Sequence, residues 1–378
     1  DRVSVRALPD PFTPGPANTQ PDATTIAAAD PTSEANIDLP IFRSPLPRTR
    51  RRAPTSVFSP VVPGYFRLYT VIMRYRRLGC TNLRVSVVGV GTWQFGGEWG
   101  HDYSQPEVDA IFDAARSVGI NLIDTAECYG DHTSERFIGN AIAGQRDKWV
   151  LATKFGHKFH GHMNRTEERT AAHMQQQLED SLRALRTDYV DLLQYHSIKD
   201  GEFDNDELRL ALDKAVQAGK VRHIGNSIGS NDNIHQTDRS GWAGVEVIQV
   251  VYNRLDRKPE ERVFPSCIRQ NLGVLARVPL ASGFLSGKYK PGAMFPKDDV
   301  RAGHDAAKLA QRLAEVERIA REEVPPGTDM AQWALAWCLR HPAVTAVIPG
   351  CKNVKQVESN AAAAGLPLVR DDHPQAWK

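Results

Sequence analysis

The sequence predicts an α/β chain folded as a (β/α)8 barrel, and three observations carry that prediction. Eight short, nearly continuous apolar runs recur after residue 84, helical patterns separate them, and polar residues of catalytic type stand at the ends of several runs. The first two observations suit a doubly wound sheet equally well, because both folds bury parallel strands beneath helices. The third favours the barrel, whose active-site residues come from the C-terminal ends of several different strands.

Residues 1–72 hold half of the chain's 24 prolines and show no helical or strand period. Such a segment buries too little apolar area to offset its ordering entropy, so it is expected to be disordered. Arg48, Arg50, Arg51 and Arg52 suggest a transit peptide, but Asp10, Asp22, Asp30, Glu34 and Asp38 are acids that transit peptides avoid. The first methionine, Met73, directly precedes the first patterned strand. It is the expected start of the folded chain, with the upstream segment a non-native extension and residues 73–378 the barrel.

Arg74–Leu78 and Arg84–Val88 flank Gly79-Cys80-Thr81-Asn82 and predict an N-terminal β-hairpin. The apolar runs follow at Val85–Val90, Asn121–Thr125, Trp149–Lys154, Tyr189–Tyr195, Val221–Ser227, Val245–Tyr252, Gly273–Leu280 and Val344–Pro349. They read as strands buried on both faces. Helical periodicity covers Pro106–Val118, Ser134–Ala143, Thr166–Leu185, Asp206–Ala218, Asp305–Arg321 and Asp329–Arg340.

Composition narrows the function classes. Hydrophobic residues make up 41% and charged residues 24% of the 378, with a formal net charge of +2. That balance points away from a nucleic-acid partner, and no apolar run reaches the length of a membrane span. The five cysteines form no C-x-x-C pair, so neither a disulfide framework nor a zinc ribbon is indicated, and a reducing cytoplasm is expected.

Asp124 ends one apolar run, Lys154 the next and His196 the one after, while Tyr129 lies five residues past Asp124. A lysine cation beside a tyrosine hydroxyl favours the phenolate and lowers a pKa that starts near 10. A tyrosine so tuned can protonate a carbonyl oxygen. A histidine on a neighbouring strand can orient that carbonyl.

These residues carry a resemblance to the aldo-keto reductase family, including its bacterial-type members. The matching stretches are Gly89-Val90-Gly91-Thr92-Trp93, Asp124-Thr125-Ala126-Glu127-Cys128-Tyr129-Gly130, Lys154 and Asp191-Leu192-Leu193-Gln194-Tyr195-His196. Gly219-Lys220-Val221-Arg222-His223-Ile224-Gly225 before Ser227 extends the match, which runs from about Arg74 to Leu366. The resemblance implies NADPH-dependent reduction of an aldehyde or ketone, sugar-derived ones included, to the alcohol. Tyr129 would be the general acid/base, tuned by Asp124 and Lys154, with His196 orienting the substrate and no metal involved. Two alternatives stand beside it: a nicotinamide-binding sensor like the potassium-channel β subunits, and an NAD-dependent sugar or polyol dehydrogenase.

A Rossmann fold is the competing way to bind such a cofactor. Gly89-Val90-Gly91-Thr92-Trp93-Gln94 starts like G-x-G-x-x-G, yet Gln94 replaces the third glycine and no helix pattern opens there. The resemblance instead places NADP, with NAD as the alternative, across the barrel mouth. Gly91, Thr92, Trp93 and Asp124 would border it, and Ser227 and Gln249 would bond the nicotinamide carboxamide. Pro279, Leu280, Gly283, Gly287 and Lys288 would follow the pyrophosphate, where small residues admit close backbone approach. Gly350 and Lys352 would meet the adenosine 2′-phosphate near a helix start, with Asn360 facing adenine and Gln356 supporting it. Two departures affect the nicotinamide end: Ile228 stands where many members have Asn, and Arg277 where an aromatic commonly stacks.

The remaining features have plainer readings. His157, His160 and His162 are expected on a solvated or substrate-side loop. Trp93, Trp99 and His101 are expected to line the substrate mouth, and Trp333 and Trp337, one helical turn apart, to be core. The expected partner is a small carbonyl compound, with no nucleic acid and no membrane.

Overall fold

The computed structural model describes residues 73–296, 299, 301 and 305–378; the expectations for residues 1–72 lie outside the described residues. The chain enters through an antiparallel hairpin of β1 (Tyr75–Arg77) and β2 (Arg84–Ser86). Gly79 turns it with φ +54, and a Cβ there would stand 2.1 Å from the Gly273 nitrogen. Only glycine lets the hairpin seat so closely.

Eight parallel strands follow: β3 (Val90–Gly91), β4 (Leu122–Asp124), β5 (Val150–Phe155), and, beyond the β6 (His157–Gly161) and β7 (Asn164–Glu167) pair, β8 (Val190–His196). The last four are β9 (Val221–Ser227), β10 (Val245–Val251), β11 (Gly273–Arg277) and β12 (Ala346–Val347). Each bonds to the next in chain order, from β3 to β12. Parallel bridges Val88–Val347 and Gly91–Gly350 then join the two ends, so the sheet closes into the predicted barrel. At that seam the Gly91 N–H donates to the Pro349 carbonyl at 2.9 Å. A Cβ on Gly91 would lie 2.6 Å from the Ile348 oxygen, so glycine is what allows the closure.

Strand alternation decides what points inward. Leu122, Ala152, Leu192 and Val247 share one buried cluster with Leu78 of the hairpin, which plugs the barrel floor. Two residues further along the same strands stand Asp124, Lys154, Gln194 and Gln249, all buried. These four form a polar layer, the next interior layer up, at the C-terminal rim. Gly225 leaves room for it: a Cβ there would lie 2.8 Å from Gln194 Cγ.

Outside the barrel lie α1 (Gln105–Ser117), α2 (Thr133–Ala141), α3 (Ala171–Leu185), α4 (Asp200–Phe203) and α5 (Asp206–Gln217). They are followed by α6 (Ile234–Asp238), α7 (Val263–Arg269), α8 (Ala306–Glu322), α9 (Met330–Leu339) and α10 (Val354–Ala362). In α1 the buried Val108, Ile111, Phe112 and Ala115 form one helical stripe against the sheet. Side chains of Thr170, Asn205, Asp305, Asp329 and Asn353 accept backbone N–H groups at helix starts. Trp333 and Trp337 are buried, as expected.

Several elements depart from the sequence reading, and the run Val85–Val90 is not one strand but is divided between β2 and β3. The helix expected from Thr166 begins at Ala171, because residues 164–167 pair with β6. That pairing also replaces the loop expected to carry His157, His160 and His162. The run Gly273–Leu280 is a strand only to Arg277, where the chain turns with Val278 at φ +54. Among the described residues, no helix is long and apolar enough to cross a membrane.

Candidate active site

The barrel's C-terminal mouth opens into a cavity of about 940 Å³. At its floor the Lys154 ammonium donates to Asp124 Oδ2 at 2.8 Å, to the Thr125 carbonyl at 2.7 Å and to the Tyr129 hydroxyl at 3.3 Å. Asp124 Oδ1 accepts from Gln249 Nε2 at 2.6 Å and from Gln194 Nε2 at 3.1 Å. Both carboxylate oxygens are thus satisfied although the group is buried. Tyr129 reaches this point because the chain after β4 folds back on the strand-one loop, where a Cβ on Gly96 would stand 2.6 Å from the Tyr129 carbonyl carbon.

Burial lowers the Lys154 pKa, but the Asp124 carboxylate and the Tyr129 hydroxyl outweigh it and hold the amine above its ordinary value. For Tyr129 the expected lowering is reversed. Burial pushes its hydroxyl up to about 12, and Lys154 pulls it down by less. The phenol is therefore protonated at neutral pH. His196 stands across from it, with ring centroids 6.2 Å apart. Burial, then the neighbouring charges of Lys154, His157, Arg277 and Arg165, holds His196 well below its ordinary value, so the ring is neutral.

Trp93 stacks on Tyr129 at 6.2 Å and meets Trp99 edge-on at 5.2 Å, so both tryptophans wall the mouth as expected. Trp93 Nε1 donates to Glu98 at 2.5 Å, and Glu98 also accepts from Arg165 and from the Met163 N–H. This buried carboxylate ties the strand-one loop to the β6–β7 hairpin. His101 instead pairs with the exposed Glu107 and does not line the cavity.

The residues expected around the cofactor converge here with one exception. Gly91, Thr92, Trp93, Asp124, Ser227, Gln249, Arg277, Pro279, Leu280, Gly283, Lys288, Gly350, Lys352, Gln356 and Asn360 all line the cavity. Gly287 does not; it turns the chain at φ +72 against Met330. Its glycine serves the packing of the loop on α9. Thr92 turns its hydroxyl to the Asp124 carbonyl at 2.9 Å. Ser227 donates to Gln249, whose amide holds Asp124, so the two residues expected at the carboxamide also brace the Asp124 carboxylate. Arg277 donates to the Ile228 carbonyl at 3.1 Å, while its buried Nε has no partner among the described residues.

Cations gather at the other end. Lys352 has its pKa lowered by burial, then by Arg301, with Lys288 adding to the effect and Asp299 opposing it. Arg301 pairs with Asp299 and packs over Phe295. Three cations facing one carboxylate form a site that suits an anion. The cavity thus joins a floor carrying the protonated Tyr129 hydroxyl to a cationic rim. Arg301, Gln194 and Arg165 were missed in the sequence, and Gln194 alone carried a readable signal, two residues beyond the inward Leu192; His157 lines the cavity, on the substrate side that the sequence allows.

The sequence model of the Aldo/keto reductase family matches residues 87–376. The chain belongs to that family. It is 32% identical to "Aldo-keto reductase YhdN" of Bacillus subtilis over 316 residues, 79% of this chain and 91% of that one. It is 30% identical to "Probable voltage-gated potassium channel subunit beta" of Arabidopsis thaliana, covering 79% of this chain and 93% of the relative. The holo form of the aldo-keto reductase AKR11C1 from Bacillus halodurans superposes with a TM-score of 0.67 at 29% identity, over 80% and 94% of the two chains. As an aldo-keto reductase, this chain is a nicotinamide-dependent oxidoreductase on a (β/α)8 barrel.

Proposed function

We propose that the chain reduces an aldehyde or ketone to the alcohol with NADPH. The observation that carries this reading is Lys154, whose ammonium bridges Asp124 and the Tyr129 hydroxyl beneath an open cavity. Bound NADPH supplies the hydride. Tyr129, protonated at neutral pH, gives its hydroxyl proton to the carbonyl oxygen as that oxygen gains electron density. Lys154 stabilises the phenolate left behind, and Asp124 keeps the ammonium charged. The neutral His196 ring orients the carbonyl by a hydrogen bond and does not compete as the acid.

Lys352, Lys288 and Arg301 support the phosphorylated cofactor. The Lys352 backbone N–H donates to Gln356 at 2.9 Å, which sets the lysine at the start of α10. A 2′-phosphate there meets both the side-chain charge and the helix terminus. All five thiols are free, which fits the cytoplasm as the working compartment.

The test is NADPH oxidation against a panel of aldehydes and ketones, with Tyr129→Phe as control. Loss of turnover by about 10²–10⁴-fold at unchanged NADPH affinity is expected. A loss of only a few-fold means that another group supplies the proton. NADPH binding with no turnover of any carbonyl favours a sensor, the reading that the channel-subunit relative suggests.

A further inference from the structure

Beside Tyr129, but apart from the Asp124–Lys154 pair, Glu127, Cys128, His157 and His196 each offer one ligand atom, and these atoms all lie within 4.8 Å of one another. Cys128 Sγ is 3.7 Å from His196 Nδ1, and the rings of His157 and His196 are 4.6 Å apart. One Glu127 oxygen accepts the His157 N–H at 3.0 Å. The other, Oε2, is buried with no partner among the described residues, and so is His157 Nδ1. Glu127 is only 3% exposed. A buried carboxyl oxygen left bare is destabilising, and here it sits within reach of three further ligand atoms.

The donor set is selective. Two imidazoles, a thiolate and a carboxylate suit zinc-class ions, whereas magnesium and calcium prefer oxygen alone. A divalent ion with one thiolate and one carboxylate is neutral overall, which offsets the burial that penalises each charge separately. The neighbouring cations are already engaged: Arg165 with Glu98, Lys154 with Asp124, and Arg169, whose Nη2 stands 3.5 Å from His157 Nε2, with Glu202. The other two histidines of the sequence cluster contribute nothing to this group, since His160 bonds Thr166 on the hairpin. His157 alone turns inward.

We propose that these four side chains hold one zinc-class divalent ion, and that loading it switches off the carbonyl reduction. Binding forms four metal–ligand bonds and releases the Cys128 thiol proton, with any proton on Glu127, to solvent; nothing is oxidised or reduced. A tetrahedral zinc shell spaces its ligand atoms about 3.5 Å apart; the Cys128–His196 pair already stands at 3.7 Å, while pairs as wide as 4.8 Å must close by about 1 Å. As those wider pairs close, His196, bound through one ring nitrogen, and Cys128, the neighbour of Tyr129, shift from their metal-free positions. A misplacement of that size costs about 100-fold in rate. The inhibitory half rests on the function proposed above; the binding half does not.

The full chain is titrated with Co²⁺ as a spectroscopic stand-in, and its turnover is measured against Zn²⁺. One cobalt per chain is expected, with a sulfur-to-metal charge-transfer band that Zn²⁺ displaces and that Cys128→Ser abolishes. Zinc suppresses turnover about 100-fold, and a chelator restores it. Glu127→Gln keeps the metal-free turnover but needs at least about tenfold more zinc for half-inhibition. A missing band, a band that survives in Cys128→Ser, or equal zinc inhibition of parent and Glu127→Gln overturns the site. Cobalt binding that leaves turnover intact overturns the switch. A cysteine-dependent band in a chain that reduces no carbonyl upholds the site and removes the proposed function instead.

Discussion

Lys154 is surrounded by acceptors: a carboxylate oxygen, a backbone carbonyl and a phenolic oxygen, all within 3.3 Å. Removing its charge therefore acts on stability and on rate together. In Lys154→Met the Asp124 carboxylate stays buried with only Gln194 and Gln249 to hold it, and Tyr129 loses its donor. Unfolding stability should fall by about 3–5 kcal/mol, and kcat by about 10²–10⁴-fold. Urea unfolding and steady-state kinetics read the two effects. A variant as stable as the parent would show that Asp124 does not depend on the ammonium. At the far end of the cavity Lys352 makes a separate prediction. Lys352→Ala should raise the Kd for NADPH about 10–100-fold, the worth of one charge-assisted hydrogen bond, and leave NADH nearly unchanged. Cofactor titration by fluorescence checks it, and equal losses for both cofactors would move Lys352 away from the 2′-phosphate.

Arg76 shows how one element is fastened to another. It lies in β1, is only 2% exposed, and donates to the Leu339 carbonyl at 2.9 Å and to the Val344 carbonyl at 2.7 Å. Leu339 ends α9, where the helix dipole is negative. No carboxylate pairs with Arg76 among the described residues, and burial, then Arg74, lowers its pKa to about 9. Arg76→Met leaves two buried carbonyls bare and should cost roughly 3 kcal/mol; a loss below about 1 kcal/mol in urea melts would mean that the hairpin is held by Leu78 alone. Such a tie, 263 residues long in sequence, has no local signature. The barrel strands do, since burial on both faces makes β5, β8 and β10 continuous apolar runs. Their period of two also makes Asp124, Lys154 and Gln249 legible as a layer above Leu122, Ala152 and Val247. The β6–β7 hairpin is not legible. Its residues are polar and half-exposed, and it is anchored by Glu98, 65 and 67 residues away. Arg165 enters the site only through that hairpin and so escapes a reading of local pattern, and the pairing that turns His157 inward while leaving His160 outside escapes it too.

The whole barrel is closed from below by its own C-terminal segment, and this makes its stability depend on pH. The Arg77 N–H donates to the Gln375 carbonyl at 2.7 Å, the Trp377 N–H to the Tyr75 carbonyl at 3.0 Å, and the Gln375 amide to the Leu272 carbonyl at 3.3 Å. His373 orders this crossing. Its Nδ1 accepts the Gln375 N–H at 3.1 Å, which leaves Nε2–H to donate to the His341 carbonyl at 3.2 Å. The bond accepted at Nδ1 needs the neutral ring, whereas the Nε2–H bond survives protonation. Burial, then Arg76, depresses its pKa to about 4, against about 6.5 in the unfolded chain. Between those values the unfolded state binds more protons than the folded one, so stability falls as pH falls. Its contribution is fully present above about pH 6.5 and is lost as the pH drops toward 4; by pH 5 the loss relative to pH 7 is roughly 2 kcal/mol. His373→Gln keeps a polar group there without the titration. It should lower stability at pH 7 yet lose about 2 kcal/mol less than the parent on acidification to pH 5. Urea midpoints at the two pH values supply the comparison. Parallel losses in parent and variant would assign the acid sensitivity to the other histidines whose pKa is lowered, His341 beside it and His157 and His196 at the mouth.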